Sequence, residues 1–448
     1  MKPKICAYVQ QEYSKQSYKN ECMDSRHFVG LRVIIDVLER NGYEVDYAGI
    51  ETVHNYDFVL VSLTADCDWW TYISERLKWR KGNYKVIVGG AGLLHISPFL
   101  PFGDIFIWGR GENVIIDIIN GSTLPQSATD ATSFSEERKY YIAQADKPYP
   151  YPIKLSENRI FQEDAIGCNH KCLFCGYTWH RKFNSNNDYY VMSLSLFGTD
   201  MSRTERALLD MSRDYNCIDF NKLRTTAIDG FSERLRYSVN KKINRELLLG
   251  FFNAMTDSVR IKKIKPHQIK LYNICGYPTE KIDDMQEFTE TLREADRYGD
   301  KLDKQWSIVL HNTPFRAMPA TPMACAPMSY QSYRGKIAKF LRDKLYKGNI
   351  LFQGRNFWAV ESMGTDSLST VILSAIAHRG ERDDTENIVK LCSTPTFWRA
   401  SSGVKQATLE KYFNVGRLFS EFTVETLPSR YLRTYAKVES FWPKAHHE

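Results

Sequence analysis

Short apolar segments that each end in glycine or a polar loop alternate with amphipathic stretches through roughly the first 120 residues, and such a chain can bury its strands only in a parallel sheet covered by helices. Lys4 to Val9 reads as a buried strand. Arg26 to Arg40 then places Phe28, Leu31, Ile35 and Leu38 on one helical face before Asn41-Gly42 stops the helix. Strand patterns follow from Glu44 to Ala48 and from Tyr56 to Thr64, and an amphipathic helix runs from Asp68 to Trp79. Strand Lys85 to Val88 enters Gly89-Gly90-Ala91-Gly92, and strand Asp104 to Trp108 enters Gly109-Arg110-Gly111-Glu112 ahead of another helix. The expectation is α/β: a doubly wound, Rossmann-like domain over residues 1–121, with ligands beyond the carboxyl ends of its strands. The glycines at 89–92 follow a late strand and lack G-x-G-x-x-G spacing, so they are no dinucleotide fingerprint.

From residue 122 to 158 the composition turns to Ser, Thr, Gln, Asp and Pro and includes Lys147-Pro148-Tyr149-Pro150-Tyr151-Pro152, which reads as a proline-stiffened surface linker. At 448 residues, the chain has room for two or three domains. Apolar residues at 43% can fill their cores, and charged residues at 25% are ordinary for a soluble protein. The net charge of +7 is spread, with small clusters at Lys78-Trp79-Arg80-Lys81 and Lys262-Lys263-Ile264-Lys265. That bias is compatible with an anionic small molecule or nucleic acid as partner, and equally with a solvated surface. No apolar run reaches the ~20 residues of a membrane span, and the start has neither a long apolar core nor a small-residue cleavage site. Ten cysteines without the dense spacing of a secreted scaffold fit a reducing compartment. The expected location is therefore the cytoplasm, with no membrane partner.

The densest chemistry lies in Ile166-Gly167-Cys168-Asn169-His170-Lys171-Cys172-Leu173-Phe174-Cys175-Gly176-Tyr177, where three cysteines fall in eight residues as C-x3-C-x2-C. Three thiolates so close can wrap one face of an iron–sulfur cube and leave one iron open. Two other readings stand beside it: a zinc site with His170 or His180 as fourth ligand, and three unrelated buried cysteines. The spacing, with Phe174 before the last cysteine and a strand before the first, resembles the cluster motif of the radical S-adenosylmethionine (SAM) enzymes. That resemblance implies a [4Fe-4S] cluster on Cys168, Cys172 and Cys175, with SAM chelated to the open iron. It also implies an electron donor such as flavodoxin or ferredoxin.

Three downstream segments resemble the same family. Leu223-Arg224-Thr225-Thr226-Ala227-Ile228-Asp229-Gly230-Phe231-Ser232-Glu233-Arg234-Leu235-Arg236, followed by Val239-Asn240-Lys241-Lys242-Ile243, is similar to a segment in which a strand ends in an acidic residue and a helix begins. Asp229 stands where glutamate is usual. Ser232 and Glu233 also suit a helix start, where they would satisfy free N–H groups. Gly276-Tyr277-Pro278-Thr279-Glu280, after a strand from Ile269, resembles the G-x-P-x-E turn that lies against adenine in relatives. Trp306 to Leu310 and the run through Phe315, Pro319 and Met323 resemble the sixth strand and its loop. The implied fold of residues 159–328 is a partial (β/α)6 barrel with chemistry at the carboxyl strand ends. Tyr189 to Leu196 reads as a further strand and Met201 to Tyr215 as a helix. Residues 329–448 read as helix-rich, with Leu368 to Ala377 and the turn His378-Arg379-Gly380-Glu381-Arg382 similar to the tail that trails such barrels.

Val86 to Gly90 and Gly109 to Asn113 resemble the cobalamin-binding-type domain that precedes many of these barrels. The resemblance implies ligand contacts at Gly89, Gly90, Gly109, Gly111 and Glu112. His27, in Asp24-Ser25-Arg26-His27-Phe28-Val29-Gly30, stands where a cobalt-ligating histidine would, but the Asp lies one residue too far back, and a helix-start histidine facing water is the other reading. Cobalamin, where bound, would favour methylation of a C–H carbon; without it, rearrangement or oxidation is expected. Two alternatives stand beside this: a methylthiotransferase-like enzyme sharing the barrel motifs and modifying RNA or protein, for which Cys6, Cys22 and Cys67 would be the second-cluster candidates, and, from a different class, a non-catalytic iron–sulfur or zinc protein that binds nucleic acid. The sequence assigns no catalytic residue and no substrate. It leaves Cys392 as a spare thiol, a hydrogen donor or a packed core residue.

Overall fold

The computed structural model describes residues 2–8, 29–93, 95–134, 147–156, 159–161, 163, 165–167, 172–176, 184–185, 218–221, 223–319, 321–328, 350–363 and 368–420. The strand expected at 189–196, the helix expected at 201–215, and Cys22, His27, Cys168, His170 and His180 lie outside these residues.

The first sheet has the order β2-β1-β3-β4-β5-β6, from β1 (Ile5–Tyr8), β2 (Val45–Ala48), β3 (Phe58–Ser62), β4 (Lys85–Gly89), β5 (Ile105–Ile107) and β6 (Ala128–Asp130). The first five strands run parallel. β6 adds an antiparallel edge, Ile105 opposite Asp130 and Ile107 opposite Ala128, inside the stretch that composition marked as a linker. Its Ala128 and Thr129 are fully buried, which a three-residue edge strand achieves without any periodic signal.

Alternate residues of the central strands enter two separate cores. Val59, Val61, Val86, Val88 and Phe106 join Trp69 and Phe99, the two rings stacked at 4.1 Å. Leu60, Ile87 and Ile5 face the other way, onto Leu31, Ile35 and Leu38 of α1 (Val29–Arg40). Burial on both faces is why these strands read as unbroken apolar runs. α2 (Asp68–Arg76) covers the tryptophan side, and α3 (Ile115–Ile119) lies with α1. The strand order reverses direction between β1 and β3, so the carboxyl end of β3 borders the crevice where such sheets take ligands.

Two short pairs follow: β7 (Ile153–Ser156) with β8 (Arg159–Phe161), and β9 (Ala165–Ile166) with β10 (Asn184–Ser185), both antiparallel. The second large sheet has the order β11-β12-β13-β15-β14, from β11 (Thr225–Ala227), β12 (Gln268–Cys275), β13 (Trp306–Pro314), β14 (Ile350–Gln353) and β15 (Phe357–Met363). β11, β12, β13 and β15 are parallel, and β14 returns antiparallel. α4 (Glu233–Ser238), α5 (Arg245–Arg260) and α6 (Ile282–Arg297) are the crossovers. Ile269, Leu271, Trp306, Ile308, Leu310 and Phe357 are fully buried on the helix-facing side, where Trp306 Nε1 donates to the Met255 carbonyl of α5 at 3.1 Å and Phe357 meets Phe252 edge-on.

The hairpin β14–β15 departs from the helix-rich reading of residues 329–448. Asp296, at the end of α6, accepts the backbone N–H groups of Arg355 (2.9 Å), Asn356 (2.6 Å) and Phe357 (3.0 Å), which fixes the hairpin turn on the sheet. The helical reading holds from α7 (Leu368–Arg379) through α8 (Thr385–Cys392), α9 (Pro395–Arg399), α10 (Ser402–Tyr412) and α11 (Val415–Phe419). Among the described residues, no helix is long and apolar enough to cross a membrane.

Candidate cofactor site at the carboxyl end of the second sheet

The four segments singled out by sequence touch one another at the carboxyl ends of β11, β12 and β13. Leu173, between Cys172 and Cys175, donates its N–H to the Val239 carbonyl beyond α4 at 2.9 Å, and its carbonyl accepts from Met323 N at 3.3 Å. Phe174 lies 6.2 Å from the ring of Tyr277, whose ring is 5.3 Å from Phe315. The Tyr277 hydroxyl donates to the Asp229 carbonyl at 3.1 Å. Hydrogen bonds and ring contacts therefore join the cysteine loop to all three downstream segments.

Asp229 follows β11 with φ of 51°, a left-handed conformation that aspartate tolerates better than most residues. Its carboxylate accepts Lys241 Nζ at 2.5 Å, and Lys241 is 3% exposed. Burial pushes the pKa of this lysine down, but Asp229, and then the Cys172 and Cys175 thiolates, hold it above the ordinary value. A buried cation thus pairs with a carboxylate and feels the charge of two cysteines.

Ser232 and Glu233 are committed to the protein itself. Ser232 is the N-cap of α4, accepting Leu235 N at 3.1 Å, and donates to Asp284 Oδ1 of α6 at 2.5 Å. Glu233 accepts Arg245 N at 2.7 Å. Gly276, with φ of 78°, donates its N–H to Glu280 Oε2 at 2.9 Å, which closes the turn around Pro278. Sequence reasoning gave Arg236 no role, yet it is fully buried and donates to the carbonyls of Ile243, Gly230 and Phe231. Burial lowers its pKa to about 10. Lys241 is likewise given no role by its sequence, where it is one of two adjacent lysines, of which the structure buries Lys241 and exposes Lys242.

At the carboxyl end of the first sheet, the residues expected at a corrin have protein neighbours. A Cβ on Gly90 would stand 2.3 Å from the Leu63 carbonyl oxygen, and one on Gly92 2.3 Å from that of Ala65. Gly89 accepts Leu63 N at 2.8 Å. Close packing of the loops after β3 and β4 accounts for these glycines without a ligand. Gly109 has φ of 84°, and a Cβ on Gly111 would press on Ile34 at 3.1 Å. Glu112 pairs with Arg110. Beside them Asp66 meets Arg316 at 3.4 Å, His378 at 3.3 Å and the Ser374 hydroxyl. Although burial pushes its carboxyl up, His378 and Arg316 hold it at about 2. Cys392 packs on α2, its thiol directed at the Trp70 carbonyl, and burial raises its pKa to about 12. It is a packed core residue.

Among the described residues, no group of three or more His, Cys, Asp or Glu side chains converges as a metal site. Cys172 and Cys175 act electrostatically on Lys241, while the third cysteine of the motif lies outside those residues. Soft thiol donors beside a buried cation fit a cluster whose thiolate ligands leave it net negative. The residues at the first sheet do not fit a corrin in the same way, since protein contacts already engage them.

No family model matches the chain. An uncharacterized protein of Methanocaldococcus jannaschii is 22% identical over 364 residues, covering 68% of this chain and 76% of that protein. Among solved structures, the apo, selenomethionine-labelled cobalamin-dependent SAM radical enzyme OxsB aligns at 11% identity over 98% of this chain and 61% of that one, with a TM-score of 0.27. The form with aqua-cobalamin and SAM bound gives 12%, 98%, 61% and 0.27. This chain thus spans 61% of the length of those structures, and at such TM-scores the likeness carries no argument.

Proposed function

We propose that this protein is a radical SAM enzyme that functionalises a C–H bond. The observation that carries the reading is the contact of the cysteine loop with Val239, Tyr277 and Met323, with Tyr277 in turn bonded to Asp229, because these segments resemble one family's motifs in one order and meet at one place. A [4Fe-4S] cluster held by Cys168, Cys172 and Cys175 would supply reductive cleavage of SAM, one electron from a donor such as ferredoxin or flavodoxin yielding methionine and a 5′-deoxyadenosyl radical that abstracts hydrogen from substrate. The chain's own residues do the rest. Lys241 offsets negative charge at the thiolates, Phe174 and Tyr277 wall the site with rings, and the Gly276–Glu280 turn and Asp229 backbone give a fixed rim for a polar ligand. Ser232 and Glu233 support that rim through helix starts.

Cobalamin has no part in the proposed chemistry, because Gly90, Gly111 and Glu112 are engaged by the protein. The substrate class stays at an anionic small molecule or nucleic acid, on the charge of +7. Anaerobic reconstitution with iron and sulfide tests the reading. A brown protein with near-stoichiometric clusters, lost in Cys172→Ala, supports it; a colourless protein that binds zinc instead contradicts it.

A further inference from the structure

Glu163 lies between β8 and β9 and is 7% exposed. Its carboxylate accepts Arg110 Nη1 at 2.6 Å and Nη2 at 2.5 Å, a parallel two-point contact that sets direction as well as distance. The second oxygen also accepts Tyr149 N at 2.7 Å. Arg110 belongs to the loop leaving β5, and its Nε donates to Glu112. The Tyr149 hydroxyl donates to Asp36 of α1 at 2.5 Å, and its ring packs with Val29, Val33 and Ile153. The loop after β5 directly, and α1 through Tyr149, therefore hold one carboxylate just before the strand that leads into the cysteine loop.

A buried ion pair of this kind adds little stability over apolar groups of the same volume, since desolvation offsets the attraction. What it does add is orientation: a planar guanidinium accepts a carboxylate two-point only in its own plane. That same strand, β9, pairs with β10 through only two residue pairs, Asn184 opposite Ile166 and Ser185 opposite Ala165. So short a ladder fixes its own orientation poorly.

We infer that Arg110 and Glu163 are positioning residues, which orient β9 and with it the loop holding Cys172 and Cys175 against the end of the second sheet. The first sheet then serves the cysteine site through this tie. For its spectroscopic arm the inference rests on the cluster reading above; its geometric arm does not.

The test uses the full-length protein with Glu163→Gln, which keeps size but loses the charged pair, and Arg110→Lys, which keeps the charge but loses the fork. Amide hydrogen exchange is followed at Ala165–Gly167 and Cys172–Gly176, with Ile308–Leu310 of β13 as control. Either variant should exchange about tenfold faster at the first two segments and unchanged at the control. In reconstituted protein, iron should pass to a chelator correspondingly faster. The double variant should be no worse than Glu163→Gln, because both changes break one contact. Unchanged exchange at 165–167 and 172–176, or an equal rise at the control, overturns the inference. Should Glu163→Gln not fold, Arg110→Lys alone decides. If the unaltered protein takes up no iron, the cluster reading fails while the exchange comparison still judges the tie.

Discussion

Lys241 and Asp229 form a 2.5 Å ion pair in which the lysine is 3% exposed and the aspartate 14%, so neither can be replaced alone without stranding the other. Lys241→Met should lower unfolding stability by about 3–5 kcal/mol, read from urea titration of the protein without cluster. A loss below about 1 kcal/mol would mean that the pair is hydrated and contributes no more than a surface bridge. Asp66 makes a prediction in pH. Its folded pKa of about 2 lies below the ordinary 3.8, so its stabilisation is present above pH 4 and is lost as pH falls toward 2. Asp66→Asn should therefore remove about 2 kcal/mol at neutral pH and flatten the stability profile between pH 4 and 2. Equal slopes in the two proteins would show that Arg316 and His378 do not hold that carboxylate charged.

At the scale of elements, one hydroxyl joins two helix starts: Ser232 caps α4 and donates to Asp284 in the first turn of α6. Ser232→Ala should cost about 1–2 kcal/mol, seen as a lower thermal midpoint, with SAM affinity unchanged when the cluster is loaded. A loss of affinity with no loss of stability would move Ser232 from support to direct contact. The elements themselves were legible wherever periodicity was strong. Strand–helix alternation in the first sheet, the helix start at Ser232, and β12 and β13 with their alternating burial all read directly. The hairpin β14–β15 did not. Phe357 to Val360 is a short apolar run broken by Glu361 and Ser362, and what fixes it is Asp296, some sixty residues away in sequence. Such long-range caps leave no local pattern.

Across the whole molecule, the two sheets share one apolar core, in which Val59, Trp69 and Phe99 belong to the same buried cluster as Phe252, Trp306 and Phe357, and polar ties add direction to it. Arg110–Glu163 joins the first sheet to β9, Asp66 joins it to Arg316 and α7, and Thr385 donates to the Pro98 carbonyl at 3.0 Å. Arg379 adds a further clasp, donating to the carbonyls of Leu418, Ser420, Ala324 and Ala326. Arg379→Met should therefore loosen the loop at 321–328 together with α11, so that amide exchange rises in both at once; a rise in only one would contradict a shared clasp. These ties also explain why the candidate site was only half legible. The cysteines, Phe174 and the Gly276 turn belong to compact motifs that one stretch of sequence displays. Lys241, Arg236, Arg110 and Glu163 acquire meaning only when the fold brings their partners, and the glycines at 90 and 92 owe their identity to the backbone of Leu63 and Ala65.

The central claim is that the cysteine loop supports SAM cleavage, and product analysis tests it most directly. Protein reconstituted anaerobically, reduced with dithionite and supplied with SAM should form 5′-deoxyadenosine and methionine in equal amounts, with about four irons per chain and no product from Cys175→Ala. Absence of 5′-deoxyadenosine from protein carrying a full, reducible cluster, or equal product from Cys175→Ala, would contradict the account.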